Sequence, residues 1–170
     1  MIIHCDTTRY IFEVIEKQEY KFLFEDLIVL DVGCNIGTFS LWLQKQAKQI
    51  YAVDCDEKVT TLFRKSVRDN GFENIKVYTS KIGGVESTVT ETIKGFMEGC
   101  GIKYVDVLKL DVEGDELEII NALDFPADKI TTIIGELHYQ DERRELFKNR
   151  LIALGYRYTE LLNGHFIARR

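Results

Sequence analysis

Polar side chains that can bind a ligand or move a proton stand at five points of this sequence, each directly after an apolar run. The first is the segment D-V-G-C-N-I-G, in which Asp31 is followed by Gly33 and Gly37. The other four points are Asp54-Cys55, Ser80-Lys81, Asp111-Val112-Glu113 and Glu136-Leu137-His138. In a parallel sheet, ligands bind outside the carboxyl ends of the strands. The five points therefore predict one site, provided that the apolar runs are strands of one sheet.

The apolar runs alternate with longer amphipathic segments, which is typical of an α/β fold. Strands are predicted at Ile28–Val32, Gln49–Val53, Ile75–Thr79, Val105–Leu110 and Ile130–Leu137. Helices are predicted at Thr38–Lys48, Glu57–Asn70, Glu91–Glu98, Asp115–Leu123 and Asp141–Leu154. Two short runs then predict an antiparallel hairpin with its turn at Asn163-Gly164, namely Tyr156–Glu160 and His165–Arg169. The predicted architecture is a Rossmann-like, mostly parallel sheet of seven strands with a C-terminal antiparallel hairpin.

Length and composition fit one globular domain over residues 1–170. Hydrophobic residues make up 45% and charged residues 29% of the 170 positions, which is enough to bury a core without disulfides. An amphipathic helix at Thr8–Phe24 is expected in an N-terminal addition of residues 1–27, ahead of a core at 28–170. No leader pattern and no apolar stretch of roughly 18 residues is seen. We expect a cytoplasmic protein with no membrane partner.

Charge and metal-ligand spacing narrow the function further. The formal net charge of −6 gives a nucleic-acid backbone no broad basic surface, so DNA and RNA are not expected as partners. The four cysteines form no C-x-x-C pair, and the three histidines form no H-E-x-x-H motif. The spacing thus predicts no zinc site, and buried thiols are the expected state of the cysteines.

The spacing Asp31-x-Gly33-x-x-x-Gly37 predicts a nucleoside site. The two glycines allow a sharp turn and a close approach of a ligand, and the helix that follows offers unpaired backbone N–H groups. The dinucleotide fingerprint G-x-G-x-x-G does not fit, because the position of its second glycine is occupied by Asn35. Asp54, 17 residues after Gly37, instead suits a free ribose diol, as in S-adenosylmethionine. The alternative is a structural turn with a solvated Asp54.

Two segments together resemble a known family. V-L-D-V-G-C-N-I-G-T-F-S and V-L-K-L-D-V-E-G-D-E are similar to the D-x-G-A-N-x-G loop and the K-x-D-x-E-G-x-E segment of the FkbM family of class I S-adenosylmethionine-dependent methyltransferases. The resemblance covers roughly residues 28 to 138 and implies S-adenosylmethionine as the cofactor. Cys34 replaces a usual alanine, and Asp54-Cys55 replaces a usual Glu-Pro, so the turn after Asp54 is left open. The cofactor is expected to contact Asp31, Gly33, Cys34, Asn35, Gly37, Asp54, Cys55, Ser80, Lys81 and Asp111.

The same resemblance implies methyl transfer to an oxygen, commonly a hydroxyl of a sugar or of another small natural product. Such an in-line displacement needs mainly alignment, and at most a base for the hydroxyl proton. Candidate catalytic residues stand at the ends of the fourth and fifth predicted strands. They are Lys109, Asp111, Glu113, Glu136 and His138. His138 ranks first, because imidazole titrates near neutral pH.

These candidates also have structural explanations. Glu113 and Asp115 would complement the positive end of the helix that follows, whereas Glu116 and Glu118 are expected to face solvent. Lys109 in a central strand would be costly without an acidic partner, so a partner is expected. Carboxylates and an imidazole that converge would suit a divalent metal. Because spacing cannot establish convergence, the metal is left unassigned.

Two other classes of function remain open at this stage. A nicotinamide oxidoreductase would use the same fold but needs the missing middle glycine, and a silent S-adenosylmethionine-binding module would lose the acidic strand ends. The acceptor is not named by the sequence. Only two segments are expected to cover the site, namely Thr8–Phe24 and Ile82–Gly101. So small a cap leaves the site open, which suits either a bulky acceptor or completion of the site by a second copy in a homodimer.

Overall fold

The computed structural model describes residues 25–123, 129–161 and 164–170. Its strands are β1 (Leu27–Val32), β2 (Ala47–Asp54), β3 (Ile75–Thr79), β4 (Val105–Leu110), β5 (Ile130–Glu136), β6 (Arg157–Glu160) and β7 (His165–Arg169). Its helices are α1 (Thr38–Leu43), α2 (Glu57–Asp69), α3 (Ile93–Gly99), α4 (Glu116–Asn121) and α5 (Glu142–Ala153). None of these helices is long and apolar enough to cross a membrane.

The seven strands form one sheet in the order β3-β2-β1-β4-β5-β7-β6. Strands β1 to β5 pair in parallel, and β7 lies antiparallel to both β5 and β6. The chain passes from β3 at one edge to β4 beside β1, so the strand order reverses between β1 and β4. Ligands of open α/β sheets bind at such a reversal. The predicted fold class is confirmed.

Most predicted elements agree with the structure to within a few residues. The helix predicted at Glu91–Glu98 begins two residues later, because the Thr92 hydroxyl caps it by accepting a hydrogen bond from the Gly95 N–H at 3.1 Å. The helix expected at Thr8–Phe24 and the turn residue Asn163 lie outside the described residues. The single-domain assignment for residues 1–170 stays a prediction.

The predicted first helix, Thr38–Lys48, is wrong in its second half. α1 ends at Leu43, and β2 already begins at Ala47. The side-chain amide of Asn74 donates hydrogen bonds to the carbonyl oxygens of Gln44 and Ala47, at 2.8 and 2.7 Å. These bonds stabilise the early turn, and their donor lies 30 residues from Gln44 along the chain. A local pattern of apolar residues does not contain that contact.

Helices cover both faces of the sheet. One face packs α3, α4 and α5 against β4 and β5, and its core includes Phe96, Ile119, Phe147 and Leu108. The other face packs α1 and α2 against β1 and β2. Because both faces of β1 and β4 are covered, most of their residues are apolar. Asp106 in β4 accepts a hydrogen bond from the Ile28 N–H at 2.7 Å. The charged residues Asp31 in β1 and Lys109 in β4 also need a specific explanation.

Gly33 and Gly37 are required by the packing of the protein itself. Gly33 has φ +75°, and a Cβ at this position would overlap the main-chain carbonyl oxygen of Asp111. Gly37 has φ +84°, and a Cβ there would overlap the ring of Phe63 in α2. The sequence had suggested a close approach of a ligand at these glycines. The close approach seen is that of β4 and α2 to the loop after β1.

We expect Gly33→Ala to lower the free energy of unfolding by about 2–5 kcal/mol. A positive φ costs an alanine about 1–2 kcal/mol, and forced overlap in a packed region adds about 1–3 kcal/mol. Gly71 is the matched control, because it has φ +66° but a Cβ added there would meet no atom within 4 Å. Gly71→Ala should lose only the backbone part, about 1–2 kcal/mol. Urea unfolding without any cofactor measures both variants, and equal losses would contradict this account.

Candidate functional site

The loop after β1 is bound to the end of β2 by main-chain hydrogen bonds. The N–H groups of Gly33 and Cys34 both donate to the carbonyl oxygen of Val53, at 2.9 and 3.1 Å. Gly37 closes a turn by donating its N–H to the Cys34 carbonyl oxygen at 2.8 Å. Asn35 lies at the tip, is exposed, and has a left-handed φ of 50°, a conformation that asparagine tolerates better than most residues. These hydrogen bonds hold the loop against the end of β2.

Asp54, at the end of β2, is fixed by the same loop. Its Oδ2 accepts a hydrogen bond from the Asn35 N–H, and its Oδ1 accepts one from the Asp56 N–H, both at 2.9 Å. Each carboxylate oxygen can accept more than one hydrogen bond. Asp54 therefore keeps an acceptor position on each oxygen, as a ribose diol requires. Cys55, directly after it, is exposed.

The segment after β3 is tied to two other parts of the chain. The Ser80 hydroxyl donates a hydrogen bond to Glu91 Oε1 at 2.6 Å. The Lys81 ammonium lies 3.4 Å from Asp115 Oδ2, and both side chains are about half exposed. The second contact brings the end of β3 next to the start of α4. Ser80 and Lys81 thus form the border of the site on the β3 side.

Asp31 and Lys109 face each other in the register of β1 and β4. The Lys109 ammonium lies 3.3 Å from Asp31 Oδ1 and 3.3 Å from Asp111 Oδ2, and it donates a hydrogen bond to the Gly33 carbonyl oxygen at 2.9 Å. Asp31 is fully buried, and its Oδ2 accepts a hydrogen bond from the Ser40 hydroxyl at 2.6 Å. The expected acidic partner of Lys109 is confirmed.

Burial and charge oppose each other at Lys109. Burial lowers the pKa of the ammonium, but the carboxylates of Asp31 and Asp111 raise it by more, so the pKa lies above its ordinary value. Lys109 therefore stays charged, and its ammonium holds the loop after β1 through the Gly33 carbonyl oxygen. The Asp31 side chain is fully buried and the Lys109 side chain is 14% exposed.

Cys34 fills the space under the loop. The thiol is buried, and its pKa is raised by that burial and by the nearby carboxylates of Asp31 and Asp54. A neutral thiol with a raised pKa is a poor nucleophile. Cys34 is thus a small core residue, as expected for a position where alanine also fits, and its thiol contacts the Asn35 carbonyl oxygen at 3.6 Å.

The ends of β4 and β5 bring three predicted residues together. The Nε2 atom of His138 lies 3.6 Å from Asp111 Oδ1 and 3.5 Å from Glu113 Oε2. We call these three residues the Asp111–Glu113–His138 cluster. Glu113 has a left-handed φ of 57°, which is uncommon for a residue with a long side chain. Its side chain is 84% exposed, so the cluster opens to solvent on that side.

Glu116 was missed by the sequence analysis, and the expectation that it faces solvent is wrong. It is fully buried, and its Oε1 accepts hydrogen bonds from the N–H groups of Val112 and Gly114, at 3.2 Å each. The same oxygen lies 2.9 Å from Nδ1 of His138. The signal that could have found it is the last glutamate of the K-x-D-x-E-G-x-E segment, which is Glu116. Glu118, in contrast, is exposed as expected.

The surroundings of His138 raise its pKa above the ordinary value. Partial burial lowers the pKa, but the hydrogen bond and the charge of Glu116 raise it by more, and the charges of Glu113 and Asp111 add to this effect. The contact with Glu116 also fixes the ring, because a proton on Nδ1 is held by the buried carboxylate. In the neutral form, the lone pair on Nε2 then points toward Asp111 and Glu113.

A cleft of about 570 Å³ adjoins the cluster. Its lining residues are Glu136, Leu137, His138, Gln140, Arg144, Glu160, Leu161 and Gly164. Two of these residues form an ion pair, in which the guanidinium of Arg144 lies 2.7 Å from Glu160 Oε1. Glu136 lies 3.9 Å from His165 Nε2 and lines the cleft. The structure thus places Glu136 beside the cleft, and His138 belongs to both the cleft and the cluster.

Comparison with known protein families gives one broad match. A sequence model described as the methyltransferase FkbM domain matches residues 3–158. Among curated proteins, the probable protein arginine N-methyltransferase 1.2 of Arabidopsis thaliana is 31% identical over 134 residues, which cover 75% of this chain and 36% of that protein. The chain spans about a third or less of the length of the first curated relatives that it matches.

Solved structures show the same fold at low sequence identity. The precorrin-6y C5,15-methyltransferase of Geobacter metallireducens has a TM-score of 0.63 at 14% identity, over 98% of this chain and 92% of that one. An rRNA methylase of Streptococcus thermophilus has a TM-score of 0.60 at 14% identity, over 86% and 87%. M. capricolum TrmK, in complex with S-adenosyl-homocysteine, has a TM-score of 0.60 at 16% identity, over 96% and 67%.

The titration of His138 tests the geometry of the cluster without any ligand. We expect nuclear magnetic resonance to report a pKa for His138 above its ordinary value, because Glu116 holds the protonated ring. Glu116→Gln should lower that pKa, since it removes the charge that contributes most to the increase. Glu118→Gln is the control, because Glu118 is an exposed carboxylate of the same helix. If both variants left the pKa unchanged, the contact between Glu116 and His138 would not exist in solution.

Proposed function

Because this chain belongs to the family of FkbM methyltransferase domains, we propose that it transfers a methyl group from S-adenosylmethionine to an oxygen of a small hydroxylated acceptor. S-adenosylmethionine is the cofactor of the class I methyltransferases, and the structural relative from M. capricolum holds the product form of that cofactor. The family match therefore favours S-adenosylmethionine over a nicotinamide cofactor. The observation that carries the proposal is that Asp54 and the Asp111–Glu113–His138 cluster all lie at the carboxyl ends of the parallel strands.

The strand order suggests how the cofactor lies. Asp54, with one acceptor position left on each carboxylate oxygen, suits the ribose diol. Because β3 lies on the outer side of β2, the adenine would extend toward Cys55, Ser80 and Lys81. The opposite direction leads past β1 to β4, so the methionine end would lie toward Asp111. The reacting methyl group is then near the cluster.

The proton of the acceptor hydroxyl leaves toward the cluster. His138 takes it on Nε2 when the ring is neutral, and Asp111 and Glu113 stabilise the imidazolium that forms. When bound, S-adenosylmethionine supplies a methyl group whose carbon–sulfur bond breaks as the oxygen–carbon bond forms, with the electron pair left on sulfur. Glu116 keeps the ring in position throughout. Lys109 contacts both the loop after β1 and Asp111 at the end of β4, so it holds the cofactor side of the site next to the cluster.

The residues that line the cleft indicate which class of acceptor fits there. The lining combines the apolar side chains of Leu137 and Leu161 with two carboxylates, an amide and an arginine that is already paired with Glu160. Hydroxyl groups suit such a lining, because they both donate and accept hydrogen bonds. The names of relatives include arginine and rRNA methylation, so these comparisons do not support the expected absence of a nucleic-acid acceptor. The net charge of −6 remains the argument against a nucleic-acid acceptor.

We expect Asp54→Asn to weaken the binding of S-adenosylmethionine by about 1.5–3 kcal/mol, since it removes hydrogen bonds to a charged acceptor. Calorimetric titration of the parent protein should show binding of S-adenosylmethionine and S-adenosylhomocysteine and none of NAD. The matched control is Asp69→Asn, an exposed acid at the end of α2, which should bind like the parent. Unchanged affinity in Asp54→Asn would remove Asp54 from the cofactor site.

Turnover should depend on the cluster more than cofactor binding does. A screen with labelled S-adenosylmethionine against sugars, other small hydroxylated metabolites, arginine-containing peptides and rRNA identifies the acceptor class. With that acceptor, Glu113→Gln and His138→Ala should lower the rate by about 10²–10⁴-fold if the cluster removes the proton, while the calorimetric affinity for the cofactor changes little. Labelling of peptide or rRNA alone would contradict the small-acceptor proposal, and parent-like rates in both variants would contradict the role of the cluster.

A further inference from the structure

The Asp111–Glu113–His138 cluster has the spacing of a metal site. One ligand atom from each residue lies within 4.8 Å of the other two. The His138 Nε2 atom lies 3.6 Å from Asp111 Oδ1 and 3.5 Å from Glu113 Oε2. Ligands bound to one cation at about 2.0–2.2 Å in tetrahedral geometry are about 3.3–3.6 Å apart. The two distances agree with that range before any side chain moves.

The support behind His138 is a second and independent feature. A histidine that binds a metal usually donates its other ring N–H to a carboxylate, which fixes the ring and makes the ligand nitrogen more basic. Here the buried Glu116 carboxylate lies 2.9 Å from Nδ1, and it is itself held by two main-chain N–H groups. Nε2 is therefore the ring nitrogen that faces Asp111 and Glu113.

The charges around the cluster favour a cation. Several carboxylates lie in this part of the site, and the Lys109 ammonium lies among them. This ammonium is already bound to Asp31, the Gly33 carbonyl oxygen and Asp111 Oδ2. The other oxygen of Asp111, Oδ1, is the one that faces His138. With a neutral imidazole, the cluster keeps an excess of negative charge that a divalent cation would offset.

We propose that Asp111, Glu113 and His138 bind one divalent first-row transition-metal cation, such as Mn²⁺, Fe²⁺ or Zn²⁺. A mixed set of carboxylate oxygens and an imidazole nitrogen suits these ions, whereas Mg²⁺ and Ca²⁺ prefer oxygen ligands alone. Three protein ligands leave at least one coordination position open, as in catalytic rather than structural sites. The Glu113 side chain is 84% exposed, so the cluster is open to solvent on that side.

The consequence for catalysis rests on the proposed function. An acceptor hydroxyl bound at the open position would lose its proton to solvent more readily, because the cation stabilises the resulting alkoxide. The alkoxide oxygen would then attack the methyl group. In that case the cation, and not the imidazole, activates the acceptor, and His138 serves as a ligand. The binding site itself does not depend on the identity of the acceptor.

Mn²⁺ is the best probe, because free Mn²⁺ is counted directly by electron paramagnetic resonance and it binds thiols such as the exposed Cys55 weakly. The full chain is titrated with Mn²⁺ in the absence of S-adenosylmethionine. We expect one saturable site per chain. Glu113→Gln and His138→Ala should weaken it at least tenfold, and Glu116→Gln should weaken it about 10–100-fold through the orientation of His138. Glu118→Gln, an exposed carboxylate outside the cluster, should bind like the parent. Circular dichroism confirms that each variant is folded.

No saturable Mn²⁺ binding by the folded parent would overturn the proposal, as would equal binding in the parent, Glu113→Gln and His138→Ala. A calorimetric titration with S-adenosylmethionine on the same samples separates this result from the proposed function. Mn²⁺ binding without cofactor binding keeps the metal site and removes the methyltransferase proposal. Cofactor binding and chelator-insensitive turnover without Mn²⁺ binding keep the methyltransferase proposal and remove the metal site.

Discussion

The ammonium group of Lys109 is the interaction on which the site depends. It joins β1, β4 and the loop between β1 and α1, because its partners are Asp31, Asp111 and the Gly33 carbonyl oxygen. Removing one partner of a buried ion pair typically costs about 3–5 kcal/mol, since the other charge is left uncompensated. The charge of Lys109 is therefore both a stability requirement and the reason that the loop lies where Asp54 can hold it.

A second buried charge organises the other half of the site. Glu116 accepts hydrogen bonds from the turn between β4 and α4 and also contacts His138 after β5. The buried carboxylate of Glu116 thus fixes the ends of both β4 and β5. Around both Lys109 and Glu116 the same rule holds, since a charge inside the protein is kept only where specific partners compensate for its lost hydration. The exposed groups, Glu113 and His138, are positioned by these buried ones.

The order of the elements was predictable, because strands covered on both faces are apolar runs and the helices between them are amphipathic. The polar strand ends were found for the same reason, as interruptions of apolar runs. The length of α1 was not predictable, since the turn after Leu43 is stabilised by Asn74 from a distant loop. The role of the glycines was only half predicted. Their left-handed φ follows from the turn, but their contacts with Asp111 and Phe63 depend on how β4 and α2 pack.

The sequence by itself determined the fold class, the family and the positions along the chain at which polar groups end apolar strands, because these depend on local pattern and on short motifs. Only the tertiary structure decided which of those groups meet. Asp31 and Lys109 are adjacent because β1 and β4 pair in one register, and a shift of one residue would separate them. Glu116 is buried rather than solvated because β5 brings His138 against it. Contacts between residues far apart in the chain are set by strand order and packing, and no local pattern contains them.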